Sequence, residues 1–254
     1  MGMSDWPEDA TIQRFSDATS SQGVMVFAEM VDGVLLNVGR ELMGPGREMA
    51  DQLGVSLTAI LIHHDVGSAP QDLISLGADK VVVVSDPRLE HFTTLPFTRA
   101  LSDYLVNVHR PEILLMGATT TGRDLAPRVA SRVDAGVTAD CTKLSVGPFY
   151  HRKTKTVTTH MLEAHRPSFG ESKLACIMSN PQQLWAPAMA TARPGIFVAP
   201  DSDSSRTGEV EEFTPNWSEN DFDVEVIDVR RGGGERVELG HCKIIIAGGI
   251  PCGQ

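Results

Sequence analysis

The 254-residue sequence has few cysteines, no long apolar run and little positive charge, and each shortage excludes a class of protein. Its four cysteines form no C-x-x-C pair, which argues against a zinc ribbon or an iron–sulfur cluster, and they are too few for a disulfide framework. No apolar run reaches the length of about 18 residues that a membrane-spanning helix requires. With 22 basic against 33 acidic residues, the net charge of −11 disfavours a nucleic-acid partner.

The remaining composition is typical of a soluble globular protein, with 41% hydrophobic and 22% charged residues. The length suggests one large domain or two smaller ones. Residues 1–22 carry no periodic pattern and predict a loose leader. They also lack the basic and apolar regions of a signal peptide, so a cytoplasmic location is expected.

Apolar runs alternate with helical patterns in residues 23–134. Continuous apolar strands between helices predict a mostly parallel, doubly wound α/β sheet that is covered on both faces. In the first helix, Gly44-Pro45-Gly46 predicts a late start, with Pro45 in the first turn. The predicted strands are 24–29, 55–64, 80–86 and 112–118, and the predicted helices are 40–54, 69–78 and 97–110. The expected core positions in the first and third helices are Leu42, Met49, Leu53, Leu101, Tyr104, Leu105 and Val108.

The pattern of apolar residues changes after residue 133. Residues 136–180 are β-rich and predict an extension of the N-terminal α/β domain, which we place at 23–197. The polar, acidic stretch 198–222 indicates a linker or an exposed edge. Two further strands, 223–230 and 242–249, predict the truncated start of a second α/β domain at 223–254, because the second strand ends in a double glycine that normally leads into a helix.

The segment "GATTTGRDLAPRVASRV", Gly117–Val133, lies between a buried strand and a helix start. Backbone amides and a side chain in such a turn can hold an anion or contact a partner chain, and the candidates are Thr121, Gly122, Arg123 and Asp124. Alternatively, the Arg-Asp pair ties the helix start to a neighbouring strand, with Leu125, Val129 and Val133 in the core. We favour this structural or intersubunit role, because a nucleotide site needs a richer glycine loop or a second phosphate ligand.

The other chemically active residues are isolated from one another. His63 and His64 are adjacent on a strand and would point in opposite directions, which disfavours joint metal binding. Cys141 is expected to be inert packing. Arg166, in "RPSFG", is either a contact for a bound cofactor or a partner, or an exposed arginine in a proline-fixed turn. Neither a catalytic residue nor a metal ligand stands out, so an independent enzyme is the least expected class.

Several stretches together resemble the alpha subunit of electron transfer flavoproteins, most closely the electron-bifurcating type. They are "VFAEMVDGVLLNVGRELMGPGREMADQLG", "LGADKVVVV", "PEILLMGATTTGRDLAPRVASRVDAGVTADCT", "RPSFG", "AMATARPGIF" and "KIIIAGG". The resemblance implies an electron carrier whose N-terminal domain pairs with a beta subunit. It also implies a C-terminal domain that binds FAD and relays electrons between a dehydrogenase, of acyl-CoA dehydrogenase type, and an acceptor.

The sequence departs from the family pattern near its flavin motifs. Gly248 and Gly249 match part of the FAD turn, but Ile250-Pro251 follows where the family has Arg-Gly. The family's Gly-Gly-Asn is Gly170-Glu171-Ser172 here, and His165 replaces a threonine. Residues 1–254 alone are therefore expected not to hold FAD. The alternative is a non-redox nucleotide-binding module or a structural subunit of a dehydrogenase complex.

Overall fold

The computed structural model describes residues 7, 9–19, 21–168, 173–179, 187–230 and 244–246. Seven parallel strands form the main sheet, in the order β13-β6-β5-β2-β7-β12-β8. The strands are β1 (Thr11–Arg14), β2 (Val24–Phe27), β3 (Met30–Val31), β4 (Val34–Leu35), β5 (Leu57–Ile62), β6 (Lys80–Val84), β7 (Ile113–Gly117), β8 (Val137–Cys141), β9 (Lys143–His151), β10 (Thr156–Ser168), β11 (Lys173–Ile177), β12 (Ala188–Ala192) and β13 (Glu209–Glu212). The helices are α1 (Phe15–Thr19), α2 (Asn37–Leu53), α3 (Ala69–Ser75), α4 (Thr94–Asn107) and α5 (Thr120–Arg132), with short 3₁₀ turns at Pro87–Leu89 and Glu219–Phe222.

Helices cover both faces of the seven-stranded sheet. Successive residues of a strand point to opposite faces, so Val24 and Val26 join one core with α2 and α3, while Met25 and Phe27 join a second core with α4 and α5. The predicted doubly wound α/β fold is confirmed. No helix in the described ranges combines the length and apolarity that crossing a membrane would require.

Helix α2 begins earlier than predicted. It starts at Asn37 and contains Pro45 in its interior, so the predicted late start is wrong. The flanking glycines have a packing reason: a Cβ on Gly44 would lie 2.7 Å from the carbonyl oxygen of Val198, and one on Gly46 would lie 3.1 Å from a methyl group of a β5 leucine. The buried face of the helix outweighs the local cost of the proline, which is about 3 kcal/mol in a helix interior.

Helix α4 also differs in its bounds, since it begins and ends three residues before the predicted range 97–110. Val108 is predicted to lie on the buried face of this helix, and that prediction is wrong. The helix ends at Asn107, and the Val108 side chain is 48% exposed. The other predicted core positions of the helices are buried: Leu42, Met49, Leu53, Leu101, Tyr104, Leu105, Leu125, Val129 and Val133.

The predicted β-rich extension forms a second sheet. Its central strand β10 pairs antiparallel with β9 and β11 and parallel with β1. Residues 11–19 of the predicted leader belong to this region as β1 and α1, and Phe15 is only 2% exposed. This part of the leader is therefore packed rather than loose. The sequence did not indicate this, because a single buried aromatic residue produces no periodic pattern.

The stretch 198–222 agrees with the exposed-edge alternative, whereas the segment after it differs from the prediction. Within the stretch 198–222, β13 pairs with β6 and forms an exposed edge of the main sheet. The strand predicted at 223–230 is wrong: these residues form no strand, and Val224 and Ile227 are 64% and 92% exposed. Within the described ranges no strand pairs with them. Of the strand predicted at 242–249, only residues 244–246 are described, outside any strand, and Gly248 and Gly249 lie outside the described residues.

Candidate functional site

The predicted turn lies at the switch point of the main sheet. Chain order runs from β2 outward through β5 and β6, and then returns to the other side of β2 with β7. In open α/β sheets, ligands bind in the crevice beyond the carboxyl ends of the strands at such a reversal. The segment after β2 and the turn after β7 therefore define the candidate site.

Close backbone approach explains the glycines of this turn. Thr119 is the N-cap of α5, and its hydroxyl accepts a hydrogen bond from the Gly122 amide at 3.0 Å. A Cβ on Gly122 would lie 1.8 Å from the Gly117 carbonyl oxygen, and a Cβ on Gly117 would lie 2.9 Å from Val38 at the start of α2. Both helices consequently press directly on the end of β7.

A buried carboxyl group fills the space between them. Glu29 follows β2, is 4% exposed, and accepts a 2.5 Å hydrogen bond from the Thr119 hydroxyl. Burial raises the pKa of Glu29, while hydrogen bonds from Thr119 and Thr121 act in the opposite direction. Sequence analysis assigned no role to this residue, although an acid that directly follows an apolar strand was the available signal.

Arg123 points away from the core, as the intersubunit interpretation expects. Its side chain is 64% exposed, its Nε donates to the Ala118 carbonyl at 2.9 Å, and its Nη2 lies 3.8 Å from Asp140 Oδ1. The backbone contact fixes the stem of the side chain. The guanidinium group remains accessible at the carboxyl edge of the sheet.

Asp140 lies close to arginine side chains at the carboxyl edge of the sheet. Arg193 donates to both of its carboxyl oxygens, at 3.2 and 2.8 Å, and the Asp140 amide donates to Thr191 Oγ1 at 2.9 Å. The hydrogen bonds from Arg193 hold the pKa of Asp140 below its usual value, and the charges of Arg123 and Arg166 lower it further. The structure thus brings two of the predicted candidates, Arg123 and Arg166, near one carboxylate.

Arg166 does not lie in a proline-fixed turn. Strand β10 continues through Arg166 and Pro167, which pair with Ala175 and Leu174 of β11. The turn interpretation is wrong because Pro167 lies within β10, and the antiparallel pairing of β10 with β11 continues through it.

The Asp140 ion pair provides a pH-dependent prediction. Asp140→Asn is expected to reduce the free energy of unfolding by about 1 kcal/mol at pH 7, because Arg193 loses its charged partner. A lowered folded-state pKa gives stability that is present above the unfolded pKa and lost as pH falls through the folded value, so the difference should shrink as pH falls below about 4, the ordinary aspartate value. Urea unfolding at neutral pH and at successively lower pH values measures this. The control is Asp134→Asn, an exposed aspartate that also has a positive φ. Equal losses for both variants would contradict the prediction.

Asp124 makes structural contacts that are separate from those of Arg123. It accepts from the Thr94 hydroxyl at 2.6 Å and from Arg128 Nε at 3.0 Å. The Thr94 hydrogen bond is the main reason why the pKa of Asp124 is lowered. The Arg-Asp pair of the motif is therefore divided, since Asp124 ties α5 to α4 while Arg123 faces outward.

The remaining candidates are separate from this site. The His63 and His64 rings lie 4.5 Å apart, so the expected opposite orientation is wrong; β5 ends at Ile62, and strand alternation no longer applies. His63 Nδ1 lies 2.6 Å from the Asp65 carbonyl oxygen. Among the described residues, no three His, Cys, Asp or Glu side chains are grouped as metal ligands. Cys141 is fully buried, and burial raises its pKa to about 11, which supports an inert thiol.

Comparison with known proteins gives a consistent result. The electron transfer flavoprotein domain matches residues 24–217. The electron transfer flavoprotein subunit alpha of Clostridium acetobutylicum is 40% identical over 92% of this chain and 66% of its own length. Protein FixB of Clostridium saccharobutylicum is 40% identical over 92% and 65%. The acryloyl-CoA reductase electron transfer subunit beta of Anaerotignum propionicum is 32% identical over 92% and 67%.

The chain thus spans 66%, 65% and 67% of the length of these three relatives. The domain match covers the strands of the seven-stranded sheet together with the turn, Glu29 and Asp140. The chain belongs to the electron transfer flavoprotein family.

Proposed function

We propose that this chain is the alpha subunit of a cytoplasmic electron transfer flavoprotein, which carries electrons between a dehydrogenase of acyl-CoA dehydrogenase type and an acceptor. The supporting observation is the match to a relative named as an alpha subunit, 40% identical over 92% of this chain. In this role the chain is an electron carrier and not an enzyme by itself. FAD, when bound, supplies the redox chemistry.

The switch point of the described domain does not fit FAD. A dinucleotide there needs open backbone donors at a helix N-terminus and room for its pyrophosphate. Here Thr119 caps the first turn of α5, the Glu29 carboxyl group fills the crevice, and Gly117 and Gly122 are already in close contact. We therefore assign the flavin to residues outside the described ranges, with Gly248 and Gly249 as the candidate turn.

The filled crevice also counts against the alternative of a simple nucleotide-binding module. We propose the carboxyl edge around Arg123 and Arg166 as a contact region for a beta subunit, with Thr121, Gly122 and Asp124 shaping the turn that presents Arg123. Arg123 and Arg193 contact the carboxylate of Asp140, and the charge of Arg166 lowers the pKa of the same group. This local excess of positive charge, on a chain with a net charge of −11, favours acidic groups of the partner.

Arg123→Ala is expected to weaken assembly with the beta subunit more than it weakens the fold. An exposed side chain usually contributes less than about 0.5 kcal/mol to stability. Losing a charge pair that becomes buried at an interface costs about 2–5 kcal/mol of binding. Thermal unfolding and partner titration measure the two quantities. The control is Arg128→Ala, an exposed arginine on the same helix. A sharp fall in the melting temperature with unchanged affinity would favour the purely structural interpretation.

Co-expression with a beta subunit of an electron transfer flavoprotein tests the proposed function. We expect a heterodimer by light scattering when the two chains are produced together. An alpha chain that includes the family's complete FAD domain should carry stoichiometric FAD in the complex and be reduced by an acyl-CoA dehydrogenase with its substrate. Residues 1–254 alone, purified with excess FAD, should retain none. A stable monomer that does not bind the beta subunit would contradict the proposed function. Flavin retained by residues 1–254 would contradict the assignment of the flavin site.

A further inference from the structure

The Glu29 carboxyl group lies where other open α/β sheets hold the anionic part of a ligand. Such ligands lie beyond the carboxyl ends of the strands at the switch point, against the first turn of a helix. Here the Thr119 hydroxyl of that turn donates to the carboxyl group of the chain itself, at 2.5 Å. Glu29 is 4% exposed, so bulk water has little access to its carboxyl group.

The first turn of α2 approaches the strand ends closely around this position. A Cβ on Gly117 would lie 2.9 Å from Val38, and a Cβ on Gly39 would lie 3.4 Å from the Ala28 Cα. The first turn of α2 therefore closes the crevice from one face, and the first turn of α5 closes it from the other.

We propose that Glu29 is an internal substitute for a bound anion, and that the space around its carboxyl group is a carboxylate-binding site which accepts small monocarboxylic acids once this side chain is shortened. The inference depends only on the contacts within the described domain. It is independent of the proposed electron-carrier function. The native protein is expected to bind no nucleotide at this position, since its own side chain occupies it.

Chemical rescue tests the proposal. Glu29→Ala removes the two carbons and two oxygens that make up acetate, and it leaves the Thr119 hydroxyl without its carboxylate acceptor. We expect the melting temperature of the full chain to fall by about 4–10 °C. Sodium acetate should restore at least half of this loss saturably, with a midpoint of about 10–100 mM, as a weak site for a small ligand predicts. Sodium chloride at equal ionic strength should not.

Glu112 provides a matched control at the opposite end of β7. It is also fully buried, and burial raises its pKa, but neither of its carboxyl oxygens has a hydrogen-bond partner in the described part of the chain. Glu112→Ala therefore opens a similar space without hydroxyl donors, and acetate should shift its melting temperature no more than it shifts that of the wild type. An equal acetate response of the Glu29 and Glu112 variants would overturn the proposal.

Two further substitutions decide the question if Glu29→Ala does not fold. Glu29→Gln keeps an acceptor for the Thr119 hydroxyl and should melt within about 3 °C of the wild type. Glu29→Leu fills the space without an acceptor and should melt at least about 4 °C lower than the glutamine variant. A leucine variant as stable as the glutamine variant would show that the Glu29 side chain only fills space, and that its hydrogen-bond acceptor does not contribute to stability.

Discussion

Gly122→Ala is expected to lower the free energy of unfolding by about 3 kcal/mol or more, because severe overpacking is among the largest effects of single substitutions. The new Cβ would lie 1.8 Å from the Gly117 carbonyl oxygen. That carbonyl belongs to β7, which is paired on both sides by β2 and β12 and cannot move alone. Helix propensity predicts the opposite sign, since alanine is favoured over glycine by about 1 kcal/mol in a helix interior.

Urea unfolding of the purified chain measures this effect. The control is Ser131→Ala, an exposed substitution in the same helix α5, which is expected to change the stability by less than about 0.5 kcal/mol. A Gly122→Ala protein as stable as the wild type would show that α5 can move away from β7. The close approach would then not be the reason for glycine at this position.

Thr119→Val is expected to cost about 2–4 kcal/mol, although it preserves the shape of the side chain. It removes the cap that accepts from the Gly122 amide and the hydroxyl that donates to the buried Glu29. The neighbouring Thr120 is exposed, so Thr120→Val is the matched control and should be nearly neutral. Thermal and urea unfolding of both variants provide the comparison.

The loss in Thr119→Val is also expected to depend on pH. A carboxyl group whose pKa is raised in the folded state destabilises the fold as pH rises above its unfolded pKa, because ionisation is harder inside. The Thr119 hydroxyl opposes that rise for Glu29, so its removal should cost more at pH 7 than at about pH 4. A cost that is equal at both pH values would indicate that only the helix cap matters.

The main strands were predictable from sequence because each is a local, continuous apolar run. Strand β12 was not, since its residues "AMATA" are small or helix-favouring and become a strand only between β7 and β8. Glu29 could not be assigned because its partner Thr119 is 90 residues away. Arg123 and Arg166 were recognised separately as candidates, but their proximity depends on Asp140 at the end of β8 and on the hairpin of β10 and β11.

The position of β12 has a consequence for synthesis of the chain. Both β7 and β8 leave the ribosome before β12, yet β12 lies between them in the sheet. Until Ala192 has emerged, β7 has an open edge made of fully buried residue types, and β8 has no sheet partner. Unpaired apolar edges are sites of mispairing during folding. The sheet therefore cannot close on the β7 side before β12 has been synthesised.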